Sequence, residues 1–218
     1  MFFLQTENTQ QALTLFDLII KGGVILIPIA ILLFIAIYLF IERMLALRVL
    51  SRAPKGLTDY VKKALVAGEL KQATQYCETQ EGALPMILHA GLKTMAVGGT
   101  IDEVEKSIEA NANIVFTRMT NPMSLLGLIA GIAPMLGFVG TILGVIRIFY
   151  NISLSDNISI GIIAGGLYEK MITSFAGLVV GILAYSAYHF LNFLVDKQVL
   201  NVEMESLDFL TFLRQPSK

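Results

Sequence analysis

The stretch that decides the fold runs from Ile158 to Val195, ISIGIIAGGLYEKMITSFAGLVVGILAYSAYHFLNFLV, and its only Asp, Glu, Lys or Arg residues are the neighbours Glu169 and Lys170. An apolar run of about 18 residues or more reads as a membrane-spanning helix. The reason is solvation: lipid offers no partner to backbone N–H and C=O groups, so the segment must pair them within itself. This run is longer than a crossing requires.

Two more runs lie upstream. One extends from Gly22 to Ile41, between Lys21 and the pair Glu42-Arg43; the other extends from Met119 to Ile146, between Arg118 and Arg147. Composition agrees with three spans: 55% of residues are hydrophobic, only 15% are charged, and mean hydropathy is +0.70. Soluble chains carry about 25% charged residues. The expected fold is therefore all-α, a multi-pass membrane protein with three transmembrane helices over 22–41, 119–150 and 158–195. The first residues, MFFLQTENTQQALTLFDLII, contain no basic stretch and no small-residue cleavage motif, so the first span is expected to stay as an anchor.

Direction follows from Lys and Arg, which collect on the cytoplasmic side. The 42–118 segment holds Arg43, Arg48, Arg52, Lys55, Lys62, Lys63, Lys71, Lys93, Lys106 and Arg118. The connection at 151–157 has only Arg147 near its edge, with Asp156 inside it, and the 1–21 segment has only Lys21. The basic segment is expected inside the cell, the N-terminus outside, and the 196–218 tail inside.

The 42–118 region reads as a small cytoplasmic helical region, with breaks at Pro54-Lys55-Gly56, Gly68, Gly82 through Pro85 and Gly98-Gly99. Leu57, Tyr60, Val61, Ala64 and Leu65 recur at helical spacing. Thr100 followed by Glu103 is a capping-box pattern opening a helix. That helix carries Ile101, Val104, Ile108, Ala112 and Val115 on one side and runs on into the second span, so the second and third helices are expected to extend into the cytoplasm. Asp102, Glu103, Glu105 and Glu109 read as a solvated face.

Several functions are disfavoured. A net charge of −1 does not suit nucleic acid. Cys77 is the lone cysteine, and His89 and His189 have no metal-ligand spacing, so neither a metal nor a cofactor is expected. No nucleophile–base pair or phosphate loop stands out, and an enzyme is not expected.

The chemistry lies in the membrane, where a central charge costs about 2.5–3.5 kcal/mol on insertion scales and so faces protein or water. At about 100° per residue, with Glu169 at zero, Thr173 falls near 40°, Gly166 and Ala184 near 60°, Gly177 near 80°, Lys170 near 100°, Gly181 near 120° and Ser174 near 140°. The opposite arc is bulky and apolar; Val180 alone interrupts the small, polar side. This side is expected to face a shared axis between subunits. In the second span Gly127 with Gly131, and Gly140 with Gly144, are small-xxx-small pairs that let helices approach; Gly177 with Gly181 repeats the spacing. Pro134 removes a backbone bond and bends that helix. If the outer turn centres near Ser155, Thr141 and Glu169 lie at similar depth. Glu169 is then either a proton-exchange group, with a pKa raised by burial, or half of a fixed ion pair with Lys170.

These residues carry a resemblance. Ala133-Pro134-Met135-Leu136-Gly137-Phe138-Val139-Gly140-Thr141-Ile142-Leu143-Gly144, followed by Gly165-Gly166-Leu167-Tyr168-Glu169 and Thr173-Ser174-Phe175-Ala176-Gly177-Leu178, resembles the ExbB/TolQ/MotA proton-channel family. Three spans with one large loop after the first look like ExbB or TolQ; MotA-type stators have four. The resemblance implies a homo-pentamer in the bacterial inner membrane, with residues 1–21 and the 151–157 loop periplasmic. The ring would surround the single helices of an ExbD/TolR-like partner bearing an essential aspartate, and proton flow would move that partner and, through it, a TonB-like protein or a Tol-type system. On this resemblance Thr141, Glu169, Thr173 and Ser174 line the proton pathway. Ser174 stands where the family has threonine, and Lys170 where it has a small residue. A scaffold whose Glu169 docks a partner helix is the competing reading. A small-solute transporter fits less well, since three spans enclose little and no inverted repeat is visible.

Overall fold

The computed structural model describes residues 24–52, 54, 56–154 and 160–215, with the side chains of Ile162 and Glu169 outside that description. The 1–21 segment and residues 155–157 of the 151–157 connection, Asp156 included, lie outside the described residues. The described chain is helical, without strands: α1 Leu26–Leu50, α2 Leu57–Val66, α3 Leu70–Thr79, α4 Ala83–Ala96, α5 Ile101–Thr120, α6 Ser124–Ser153 and α7 Ile160–Arg214. Three stretches are long and apolar enough to cross a bilayer: α1, the run from α5 through α6, and α7. A single 3-10 turn, Asn121–Met123, joins α5 to α6 at Pro122. Proline lacks the N–H that an unbroken α-helix would use there. Helix α6 continues to Ser153, a few residues past the Ile146 at which the uncharged run ends.

By packing, the chain forms two compact units. The first comprises the start of α1 up to Phe34 and Ile129–Leu183, most of α6 and the first part of α7. Its outward surface is apolar: Ile27, Ile31, Phe34, Met135, Phe138, Ile142, Met171, Phe175 and Ile182 are exposed. In water this would be a liability, and in lipid it is the expected exterior.

The second unit comprises Ile35–Leu128 and α7 from Ala184 on. Its core joins Leu57 and Val61 of α2, Ala73 and Cys77 of α3, Ile87, Leu88 and Leu92 of α4, Val104, Ile108 and Val115 of α5, and Leu191, Val195, Val202 and Phe209 of α7. Residues 196–214, where the third helix is expected to extend beyond its span into a tail, are continuous helix that supplies core side chains. The chain breaks fall where glycine is needed. Gly56, Gly68, Gly82 and Gly98 all take positive φ, a region closed to most side chains. Thr100 caps α5, its hydroxyl accepting from the Glu103 N–H at 3.3 Å while Glu103 Oε2 accepts from the Thr100 N–H at 2.7 Å. Ile101, expected on the buried side of α5, is exposed, because it occupies the first turn, ahead of the α4 contact made by Val104, Ile108 and Ser107. Of the α2 set, Tyr60 is exposed and stacks on Tyr76 at 4.3 Å. Burial pushes the Cys77 thiol up to about 11.

Candidate functional site: the α6–α7 hairpin

The site lies in the first unit, where α6 and α7 run against each other through glycines. A β-carbon on Gly177 would stand 2.5 Å from the Ala133 carbonyl oxygen and 3.0 Å from Gly137 Cα. One on Gly137 would stand 3.1 Å from Ser174 Cα and from the Thr173 carbonyl oxygen. Gly140 faces Thr173 Cγ2, and Gly144 forms the floor under the Lys170 stem. Further along, Gly181 faces the Pro134 ring and the carbonyl oxygen of Ala130. That carbonyl is the one a residue at position 134 would bond in an uninterrupted helix, and proline leaves it without its donor. Pro134 and Gly181 are therefore a matched pair: the proline frees a carbonyl, and the glycine leaves room for it.

These pairs share one register, centred on the connection between the helices, so Thr141 comes level with the residues around Glu169. The Thr141 hydroxyl lies 3.2 Å from the carbonyl oxygen of Gly137, one turn back, and 3.3 Å from that of Lys170 across the hairpin. Its single proton is shared between them, which ties the two helices at this depth.

The hairpin divides the polar stripe in two. Thr173 is 1% exposed, and Gly177, Val180, Gly181 and Ala184 are buried with it. This half turns toward the chain's own interior rather than toward a surface another subunit could reach. Val180, which interrupts the pattern on the helical wheel, is explained by that: it lies on a packing face. The other edge, with Thr141, Lys170 and Ser174, is half-buried. Glu169 lies in α7, its side chain outside the described residues. Among the glycine pairs, Gly140 with Gly144 and Gly177 with Gly181 sit at the close contact. Gly131 does not: a β-carbon there meets nothing within 4 Å, while Gly127 faces the Tyr188 ring at 3.6 Å in the second unit. Spacing alone could not tell these pairs apart. The seating of Lys170 over Gly144 had no sequence signal beyond their shared membership of small, polar stripes. No group of three or more His, Cys, Asp or Glu side chains suited to a metal occurs among the described residues.

Fold and site together define a multi-pass helical membrane protein whose last two spans form a glycine-lined hairpin with a hydroxyl edge. Residues 79–204 match the family model of the MotA/TolQ/ExbB proton channel family, and the chain belongs to that family. It is 30% identical over 190 residues to a biopolymer transport protein described as ExbB-like 1 from Synechocystis, covering 85% of this chain and 73% of the relative. An ExbB homolog of Methanothermobacter thermautotrophicus is 27% identical over 199 residues, with 88% and 67% covered. The biopolymer transport protein exbB1 of Vibrio cholerae is 25% identical over 175 residues, with 78% and 75% covered. This is a family of proton channels, not of enzymes.

Proposed function

We propose that the chain is an ExbB-like subunit of an inner-membrane motor driven by the proton-motive force, of the ExbB–ExbD type, which energises TonB-dependent transport across the outer membrane. In this reading it assembles as a homo-oligomer, a pentamer in the ExbB pattern, around an ExbD/TolR-like single-span protein. Glu169, Thr141 and Ser174 line the proton path toward that partner. The observation that carries the reading is the half-buried edge on which Thr141 and Lys170 lie at one depth, with Ser174 one turn along, in a chain of the proton-channel family. A hydroxyl held at that level is suited to relay hydrogen bonds to a carboxyl or to water.

A second reading, a scaffold that docks a partner helix without conducting, draws support from the sealed half of the stripe. Thr173, Gly177 and Gly181 are accounted for by packing within the chain, and Thr141 has a structural hydrogen bond of its own. TolQ-like and gliding-type motors share the same chemistry and differ in the partner served.

The test is Glu169→Gln and Thr141→Ala in cells that depend on the energised process. Each variant is expected to abolish proton-driven uptake while the chain still co-purifies with its single-span partner. Full uptake in both variants would turn the assignment to the scaffold. Thr141→Ser, which keeps the hydroxyl, is expected to retain activity.

A further inference from the structure

A crevice in the second unit opens between α1 and α5, with Arg43 on one side and Arg118 on the other. The cavity measures about 200 Å³, and its walls are Leu47, Leu50, Met86, Val115 and Met119. This is an unusual pairing of surfaces: an apolar floor with a guanidinium at each margin. Arg43 is the first cation after the uncharged run of α1, and Arg118 the last before that of α6.

Phe40 precedes Arg43 by about one turn of α1. Phe40 of α1 meets Phe190 of α7 at 6.4 Å between ring centres, and the next residue back in α7, His189, meets the Tyr185 ring at a tilt and the Tyr188 ring edge-on. Of these, the tyrosines are of the type that gathers at a membrane–water boundary. Arg43 lies three residues beyond Phe40, about 4.5 Å along the helix axis, just past the end of the uncharged run, from where an arginine reaches toward headgroups. Glu42 engages Nε and one terminal nitrogen of Arg43, fixing the guanidinium plane and leaving its other terminal nitrogen for an anion. Arg118 is exposed and has no ion pair among the described residues.

We propose that this crevice seats an anionic phospholipid of the cytoplasmic leaflet, its phosphate between Arg43 and Arg118 and the start of an acyl chain on Leu47, Val115 and Met119. Charge complementarity selects the headgroup, since guanidinium pairs with phosphate through directed hydrogen bonds. The apolar floor selects a lipid over a free anion, which would gain nothing from it. The inference depends on the basic segment being cytoplasmic and not on which machine the chain drives.

The full chain, with its accompanying copies, is reconstituted in nanodiscs of equal phosphatidylglycerol and phosphatidylcholine. It is then extracted gently, and retained lipid is counted by native mass spectrometry. Phosphatidylglycerol is expected to be retained over phosphatidylcholine, and to fall by about fivefold for each arginine removed, in Arg118→Gln and in Arg43→Gln with Arg118→Gln. Ala46→Leu, which fills the cavity and keeps both charges, is expected to lower retention as well, and Lys106→Gln to leave it unchanged. Arg118→Gln and Ala46→Leu each carry the test alone, with helix content checked by circular dichroism. Equal retention of the two lipids, undiminished phosphatidylglycerol in Arg118→Gln, or its displacement by millimolar inorganic phosphate would overturn the assignment.

Discussion

Single residues decide where this chain turns, and Gly82 shows how two separate demands meet at one position. Its φ of +135° is a region L side chains rarely adopt, and a β-carbon there would collide with the Arg52 carbonyl oxygen. Gly68 has a φ of +75° but open space around it. Gly68→Ala therefore pays only the left-handed backbone cost, about 1–2 kcal/mol. Gly82→Ala adds a backbone clash that no side-chain rotation relieves, and its total should exceed about 3 kcal/mol. Thermal unfolding of the purified protein in detergent checks this: Gly82→Ala is expected to melt well below Gly68→Ala, and equal melting would mean the Arg52 segment yields freely. Both breaks were legible in the sequence, because glycine between helical periods has few other uses. The Arg52 contact was not, since it joins residues thirty positions apart and leaves no local pattern.

Between residues and the whole, the α6–α7 hairpin is the element that gives the site its geometry. Its register was readable from the two motifs and the short connection, and the depth match of Thr141 with the Glu169 region followed from counting. What the helical wheel could not give was the identity of the neighbour. A stripe of small and polar side chains satisfies lipid exclusion equally well against another subunit or against the next helix of the same chain. Here about half of it, from Thr173 to Gly181, is taken by α6. Helix contact through glycine depends on backbone approach, so a glycine at the close contact in the third span and one away from it in the second should respond differently. Gly177→Ala puts a methyl 2.5 Å from a backbone carbonyl that cannot rotate away, with an overpacking cost of about 1–3 kcal/mol. Gly131→Ala meets nothing within 4 Å, and removing a helical glycine gains about 0.5–1 kcal/mol. Melting temperatures in detergent should thus move in opposite directions. A fall for Gly131→Ala, seen only when subunits are assembled, would instead place that glycine at a contact between copies.

For the molecule as a whole, the open physical question is direction across the bilayer, because the same three helices could be threaded either way. We propose that the distribution of cations sets it. Ten Lys and Arg lie from Arg43 to Arg118, against one, Arg147, beside the connection between the second and third spans. The membrane potential and anionic inner leaflet both retain such a segment in the cytoplasm. Single-cysteine labelling can measure this directly, and the natural thiol helps. Cys77 is buried, and its thiol is pushed up to about 11, so near neutral pH almost none of it is the reactive thiolate. The sign matters for the conditions: a raised thiol pKa keeps Cys77 protonated below about 9, and the background rises only as the medium becomes strongly alkaline. With an impermeant maleimide at pH 7, Asp156→Cys is expected to react once the outer membrane alone is opened. Lys93→Cys, on the exposed side of α4, is expected to react only after the inner membrane is broken. The reverse pattern would invert the chain, carry Arg43 and Arg118 to the outer leaflet, and remove the physical basis for a lipid seat on the cytoplasmic side.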